Sequence, residues 1–156
     1  MRLHHVGIVV KEIAAHGESY ARLLGLTADS QVFHDPIQKV RVQFWRDERR
    51  NLLELIEPDG PDSPAWRDAQ KGGGLNHLCY ETSDIEHTVA ESLGGGGMIT
   101  KPMAPAVAFG GRRIVFLYFL ELGLIEFVEA ECTQSQKSLI ITSGAEGLRK
   151  AVLDHL

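Results

Sequence analysis

The chain has little cysteine: Cys79 and Cys132 are its only two, too few to staple a small fold by disulfides. It lacks any apolar run near the ~20 residues that a membrane-spanning helix needs. It lacks a Lys/Arg-rich run, and its formal net charge is −5, which argues against a nucleic-acid-binding surface. A signal-peptide pattern is missing as well, because strand-like sequence begins almost at once. These absences lead to the expectation of a cytoplasmic protein that meets a small molecule and neither nucleic acid nor membrane. What remains is ordinary globular composition, 44% hydrophobic and 24% charged over 156 residues, enough for one domain with a real core.

The chain repeats itself. "LHHVGIV" (3–9) and "LNHLCYE" (75–81) share a grammar, and their histidines, His5 and His77, are 72 positions apart. The same offset carries Ile13 to Ile85, Gly25 to Gly97, Arg41 to Arg113, Val42 to Ile114, Phe44 to Phe116, Glu54 to Glu126 and Glu57 to Glu129, without a gap. Two unrelated β-rich halves would not agree at one fixed offset, so a duplicated module of about 70 residues is the better reading.

Each half has the same order of elements. Alternation predicts a strand at 3–10, and Ile13, Gly17, Tyr20 and Leu24 recur at helical spacing over 11–24, with Gly25 as a stop. Strands are predicted at 39–46 and 51–57, joined by a polar hairpin turn at 46–50. The second half gives a strand at 75–82, a helix at 83–94 and strands at 112–119 and 122–130. The domain is expected to span 1–130, with modules 1–58 and 74–130 and a Pro/Gly-rich linker at 59–73. In the linker, Ser63 followed by Pro64 reads as an N-cap and first helical residue. Residues 131–156 form an extension outside the repeat, with Leu148, Val152 and Leu156 suggesting a short helix that packs.

The chemistry rests on four residues. Glu54 shares a strand face with Leu52 and Ile56, and Glu126 with Leu124 and Val128. Carboxylates among such neighbours point inward, where an ionised group is costly unless paired or bound to metal. His5 and His77 occupy matching positions of the two first strands. A pseudo-twofold would gather His5, Glu54, His77 and Glu126 around one axis, a donor set suited to Zn, Ni, Co, Mn or Fe. A lone His or Glu is more often a core or surface residue than a ligand, but four in register reverse those odds. Glu57 and Glu129 fall on the opposite face and read as solvated charges, His4 reads as facing away from His5, and Cys79 reads as a small core residue. Arg112 and Arg113 are candidates for contacting an anionic part of a substrate.

The segments "LHHVGIVV", "LELIEPDGPDSP", "GGGLNHLCYE" and "GLIEFVEA" resemble the vicinal oxygen chelate superfamily of glyoxalase I, extradiol dioxygenases and bleomycin- and fosfomycin-resistance proteins. The likeness covers about residues 3–130 and is nearest to the methylmalonyl-CoA epimerase branch. It implies an α+β fold of two βαβββ modules related by a pseudo-twofold, with sheets curled around a central metal cleft. It also implies one extra strand per module, near 28–34 and 99–107. By the same resemblance His5, Glu54, His77 and Glu126 hold one divalent ion, and Glu126 is the catalytic acid/base. The implied activity is that of a divalent-metal-dependent isomerase, epimerase or lyase. It would act next to a carbonyl, in an acyl thioester or a glutathione adduct, through an enolate stabilised by the ion. A non-haem Fe(II) dioxygenase and an antibiotic-binding resistance protein are the alternatives within the fold. The expected partners are a small-molecule substrate and a second copy of the chain, as a homodimer. One departure stands out: the branch places a second acid/base glutamate before the second predicted strand, where "DPIQKV" (35–40) offers Ile37. An aliphatic side chain relays no proton, so weak or absent epimerisation of methylmalonyl-CoA is expected.

Overall fold

The computed structural model describes residues 1–131; the helix expected in the tail lies outside them. The first half runs β1 (Arg2–Val9), α1 (Ile13–Leu24), β2 (Thr27–Ala28), β3 (Phe33–Asp35), β4 (Val40–Arg46) and β5 (Leu52–Pro58). After α2 (Trp66–Gln70), the second half runs β6 (Gly74–Thr82), α3 (Ile85–Gly94), β7 (Met98–Pro105), β8 (Arg113–Phe119) and β9 (Gly123–Glu129). The βαβββ order therefore occurs twice, with the extra strand of the first module broken into two short pieces.

All nine strands join one open mixed sheet in the order β2-β4-β5-β1-β6-β9-β8-β7, with β3 also on β4. Its centre is the antiparallel β1–β6 pair. There His5 lies opposite Cys79 and Gly7 opposite His77, so a shift by the repeat offset exchanges one pair for the other. The flanking ladders obey the same rule. Glu54 lies between Gly7 and Phe44, and Glu126 between Cys79 and Phe116. The pseudo-twofold expected from the repeat is thus present in the hydrogen-bond register.

Strand alternation sorts side chains onto two faces. On the helix face, Leu55 packs with Val10 and Ile13 of the α1 side, and Ile125 and Phe127 pack with Ile85 of α3. Leu55, Ile85 and Leu117 are wholly buried. The other face carries His5, Glu54, His77 and Glu126, bordered by Val9, Val42, Phe44 and Ile56 of the first half and Ile114 and Val128 of the second. Helices α1 and α3 thus cover one face, while α2 packs through Ala69 on the other, beside the site.

Several local readings need correction. Ala65, not Ser63, is the N-cap of α2, with no side-chain cap; Ser63 sits in the preceding turn, where its carbonyl accepts from the Trp66 N–H. Glu57 is not simply solvated: it accepts from the Ile13 N–H at 2.8 Å, satisfying an orphan donor at the start of α1, and pairs with Arg41. Glu129 likewise pairs with Arg113 at 2.6 Å.

Candidate metal centre

Four strands each deliver one donor. His5 on β1, Glu54 on β5, His77 on β6 and Glu126 on β9 are all buried. The two histidine Nε2 atoms approach to 3.1 Å. Glu54 Oε2 lies 3.4 Å from His5 Nε2 and 3.7 Å from His77 Nε2. Glu126 Oε2 lies 3.4 Å and 3.3 Å from the same two atoms. At ordinary metal–ligand lengths of about 2.0–2.2 Å, donors that share one ion stand roughly 3–3.5 Å apart. The cluster has that scale.

The donors' electrostatics point the same way. Glu126 Oε2 is buried with no hydrogen-bond partner, a costly state unless a positive charge faces it. The 3.3 Å approach of His77 Nε2 is an ion-pair separation rather than a directed hydrogen bond. Burial alone would raise the Glu126 carboxyl, but attraction to His77 and His5 holds it below the usual carboxylate range. Burial opposes charge on His77, yet Glu126 and Glu54 outweigh it and raise the imidazole above its ordinary value. Two buried carboxylates facing two imidazoles therefore call for a cation, either a proton on histidine or a metal ion that both ring nitrogens and both carboxylates can bind. The residues present fit a divalent ion.

The histidines are steered from behind, and sequence reasoning missed this. Asn76 Oδ1 accepts from His77 Nδ1 at 2.9 Å, which leaves the Nε2 lone pair facing the cluster. His5 Nδ1 shares a 3.0 Å hydrogen bond with His4 Nδ1, with the same result when His4 accepts. His4 thus turns its ring toward His5, contrary to its predicted direction. It stays neutral, because burial, then His5 and Arg112, lower it to about 4. His4 and Asn76 are related by the repeat offset, a signal that could have revealed both. Such partners fix the orientation and tautomer of ligating imidazoles. Cys79 is fully buried, and burial and the charge of Glu126 push its thiol well above the ordinary range.

The cluster opens into a cavity of about 350 Å³ whose wall includes Glu54, His77, Glu126, Phe116, Asp35 and Lys101. His5 lies behind this wall, wholly buried. Arg112 and Arg113 are not in the lining. Arg112 lies over the Phe109 ring and bonds to Glu81 and the Glu129 carbonyl; Arg113 is held between Glu86 and Glu129. Both guanidinium groups are committed to this chain's own acceptors. Ile37 is 55% exposed, whereas Asp35 is buried. Asp35 Oδ1 accepts from the N–H groups of Ile37 and Gln38, and Oδ2 from that of Val107, so its carboxylate braces the turn.

Among the described residues, no helix is long and apolar enough to cross a membrane. The family model for the glyoxalase/bleomycin resistance protein/dioxygenase superfamily matches residues 4–116. An ethylmalonyl-CoA/methylmalonyl-CoA epimerase of Cereibacter sphaeroides is 28% identical over 119 residues, covering 75% of this chain and 87% of the relative. A crystal structure of methylmalonyl-CoA epimerase from Mycobacterium tuberculosis is 23% identical with a TM-score of 0.73, over 84% of this chain and 89% of that one; at this identity the likeness is one of fold. A methylmalonyl-CoA epimerase in complex with methylmalonyl-CoA and NH4+ is 25% identical with a TM-score of 0.70, over 84% of this chain and 95% of that one.

Proposed function

Because the chain belongs to the glyoxalase/bleomycin resistance protein/dioxygenase superfamily, we propose that it is a divalent-metal-dependent epimerase-type enzyme. It would move the acidic proton on the carbon next to a thioester carbonyl. The observation that carries this reading is the convergence of His5, Glu54, His77 and Glu126, with Glu126 Oε2 unpartnered, at the wall of a cavity. The similarity to acyl-CoA epimerases supports the thioester.

His5, Glu54, His77 and Glu126 hold the ion in this reading. A bound divalent ion supplies Lewis-acid polarisation of a carbonyl oxygen, which makes the neighbouring C–H more acidic. Asn76 and His4 keep the two imidazoles in register. Glu126 would accept the α-proton and return it, its carboxylate lying at the wall of the cavity. Val42, Ile56 and Ile114 give the cavity an apolar border for the acyl part of a substrate.

A second reading has one observation in its favour. Donor atoms of His5, Glu54 and His77 lie within 4.8 Å of one another, the composition of the two-His-one-carboxylate triad of Fe(II) oxygenases. Glu126 as a fourth donor weighs against it by taking a position that O₂ or substrate would need.

The test is proton–deuterium exchange from acyl thioesters in D₂O, with the protein stripped by chelator and then reloaded with single divalent metals. Metal-dependent exchange at the α-carbon is expected. Loaded protein that exchanges no thioester, but consumes O₂ with Fe(II) and a catechol, would overturn the epimerase reading in favour of the oxygenase.

A further inference from the structure

We propose that Lys101 is the second proton-transfer group of this cavity, paired with Glu126 across a substrate carbon seated over Phe116; the proposal rests on the epimerase reading above. Its basis is a row in the sheet. Lys101 on β7 lies directly opposite Phe116 on β8, and Phe116 lies directly opposite Glu126 on β9. Residues directly opposite one another share a face, and all three line the cavity. Strands are spaced about 4.8 Å apart, so the backbones of Lys101 and Glu126 are separated by about 10 Å, with the Phe116 ring between them. Lysine and glutamate side chains both stand on this face and flank the ring from either side. A carbon above the ring therefore has the carboxylate on one side and the amine on the other.

The surroundings of Lys101 suit it to this role. Its Nζ donates to Gln38 Oε1 at 2.7 Å and to the Gln38 carbonyl at 3.3 Å, which leaves the third ammonium proton for a ligand. Gln38 is itself buried, and its N–H is bound to Asp35, so the tether is rigid. Among the described residues, no carboxylate lies within ion-pair distance of Lys101. Burial lowers its pKa, Asp35 opposes that shift and Lys39 reinforces it. Among the described residues, Lys101 is also the only Lys or Arg that lines the cavity. The repeat has no counterpart for it: the matching position is Asp29, which is tied up with Arg46.

The proton balance closes. Glu126 carboxylate takes the α-proton from one face and becomes the acid, while the Lys101 ammonium gives a proton to the other face and becomes the amine. Turnover of the opposite epimer reverses both transfers, and solvent can reset either group.

The experiment uses the full chain loaded with metal and methylmalonyl-CoA as the probe, each epimer supplied separately in D₂O. Epimer interconversion and deuterium incorporation are followed together. Lys101→Met and Lys101→Arg should both lose interconversion by about 10²–10⁴-fold. Deuterium should still enter the epimer whose proton faces Glu126, and KM should move far less than kcat. Arginine keeps the charge but holds its proton too tightly to deliver it. In protein with ¹³C-labelled lysine, the resonance absent from Lys101→Met should titrate below the ordinary value of about 10.4. Wild-type interconversion in Lys101→Arg, with Lys101→Met impaired, would make Lys101 an anchor for a substrate anion and overturn the proposal. Wild-type interconversion in Lys101→Met, or a lysine that titrates at its ordinary value, would overturn it too, leaving the epimerase reading intact. A loaded wild type that exchanges neither epimer would sink both.

Discussion

Gly7 and His77 face each other across the central β1–β6 pair, and the imidazole fills the space that a side chain at position 7 would need. A Cβ there would lie 2.2 Å from His77 Cε1 and 2.5 Å from Nδ1. Gly7→Ala should therefore displace a ring that Asn76 holds at Nδ1. The expected cost is about 1–3 kcal/mol, as for other overpacked cores, with weakened metal binding. Chemical denaturation and titration calorimetry check the two effects. A variant as stable as wild type and with unchanged affinity would show that the ring has freedom the packing denies.

Metal stoichiometry is the second expectation. Purified protein reloaded with one divalent ion should hold about one per chain, and His77→Ala should lower affinity by more than about a hundredfold, since even an outer-shell partner contributes 10–100-fold. Elemental analysis and calorimetry on both proteins decide it. Tight stoichiometric binding that survives the substitution would place the ion elsewhere.

Asn76 provides a finer test of the same centre. Asn76→Ala removes the acceptor at His77 Nδ1 and should cost about 10–100-fold in metal affinity while the fold stays intact. Affinity equal to wild type would show that the ring is oriented by packing alone.

Asp35 separates bracing from chemistry. Its Oδ1 accepts the two 2.9 Å backbone bonds and its Oδ2 only a 3.4 Å one, so Asp35→Asn, with its amide oxygen in the Oδ1 place, should fold and interconvert epimers. Asp35→Ala should lose about 1–3 kcal/mol by orphaning buried donors. If Asp35→Asn folds normally yet abolishes interconversion, the carboxylate takes part in proton transfer.

The Arg113 ion pairs predict an acid limit. The Glu129 and Glu86 carboxyls are held low chiefly by hydrogen bonds from Arg113. A depressed folded-state pKa gives stability that is present above the unfolded value, near 4.3, and is lost as pH falls through the folded value. The Tm difference between wild type and Arg113→Met should thus be present at pH 7, shrink toward pH 3, and be smaller in high salt because both carboxylates meet solvent. A difference that grows in acid would contradict the assignment.

Much of the centre was legible because symmetry amplified weak signals. No single residue among His5, Glu54, His77 and Glu126 stands out in sequence, but one offset selects all four, and the alternation of β5 and β9 turns both glutamates inward. His4 and Asn76 obey the same offset but escape a reading by alternation, which sends neighbours to opposite faces while a ring nitrogen can still reach back along the strand. Lys101 had no such marker. It sits on a strand with irregular register, where period-two patterning fades, and its repeat mate, Asp29, is paired outside the site. The mistaken cap at Ser63 has a similar origin, since a local motif cannot foresee that the turn before α2 consumes it.

The matched ladders on either side of β1 and β6 mean that one half-chain holds half a centre. A polypeptide of half this length, with one histidine and one glutamate, would complete the four-donor set only by pairing with a twin, and every position near the axis would then serve twice. Fusion of the twins lifts that obligation. Position 7 is glycine and admits one imidazole while its mate is Cys79; position 4 is histidine while its mate is Asn76; and Asp29 pairs with Arg46 while its mate, Lys101, lines the cavity. Tandem duplication thus allows a symmetric cage to acquire an asymmetric interior, able to treat the two faces of a bound carbon differently.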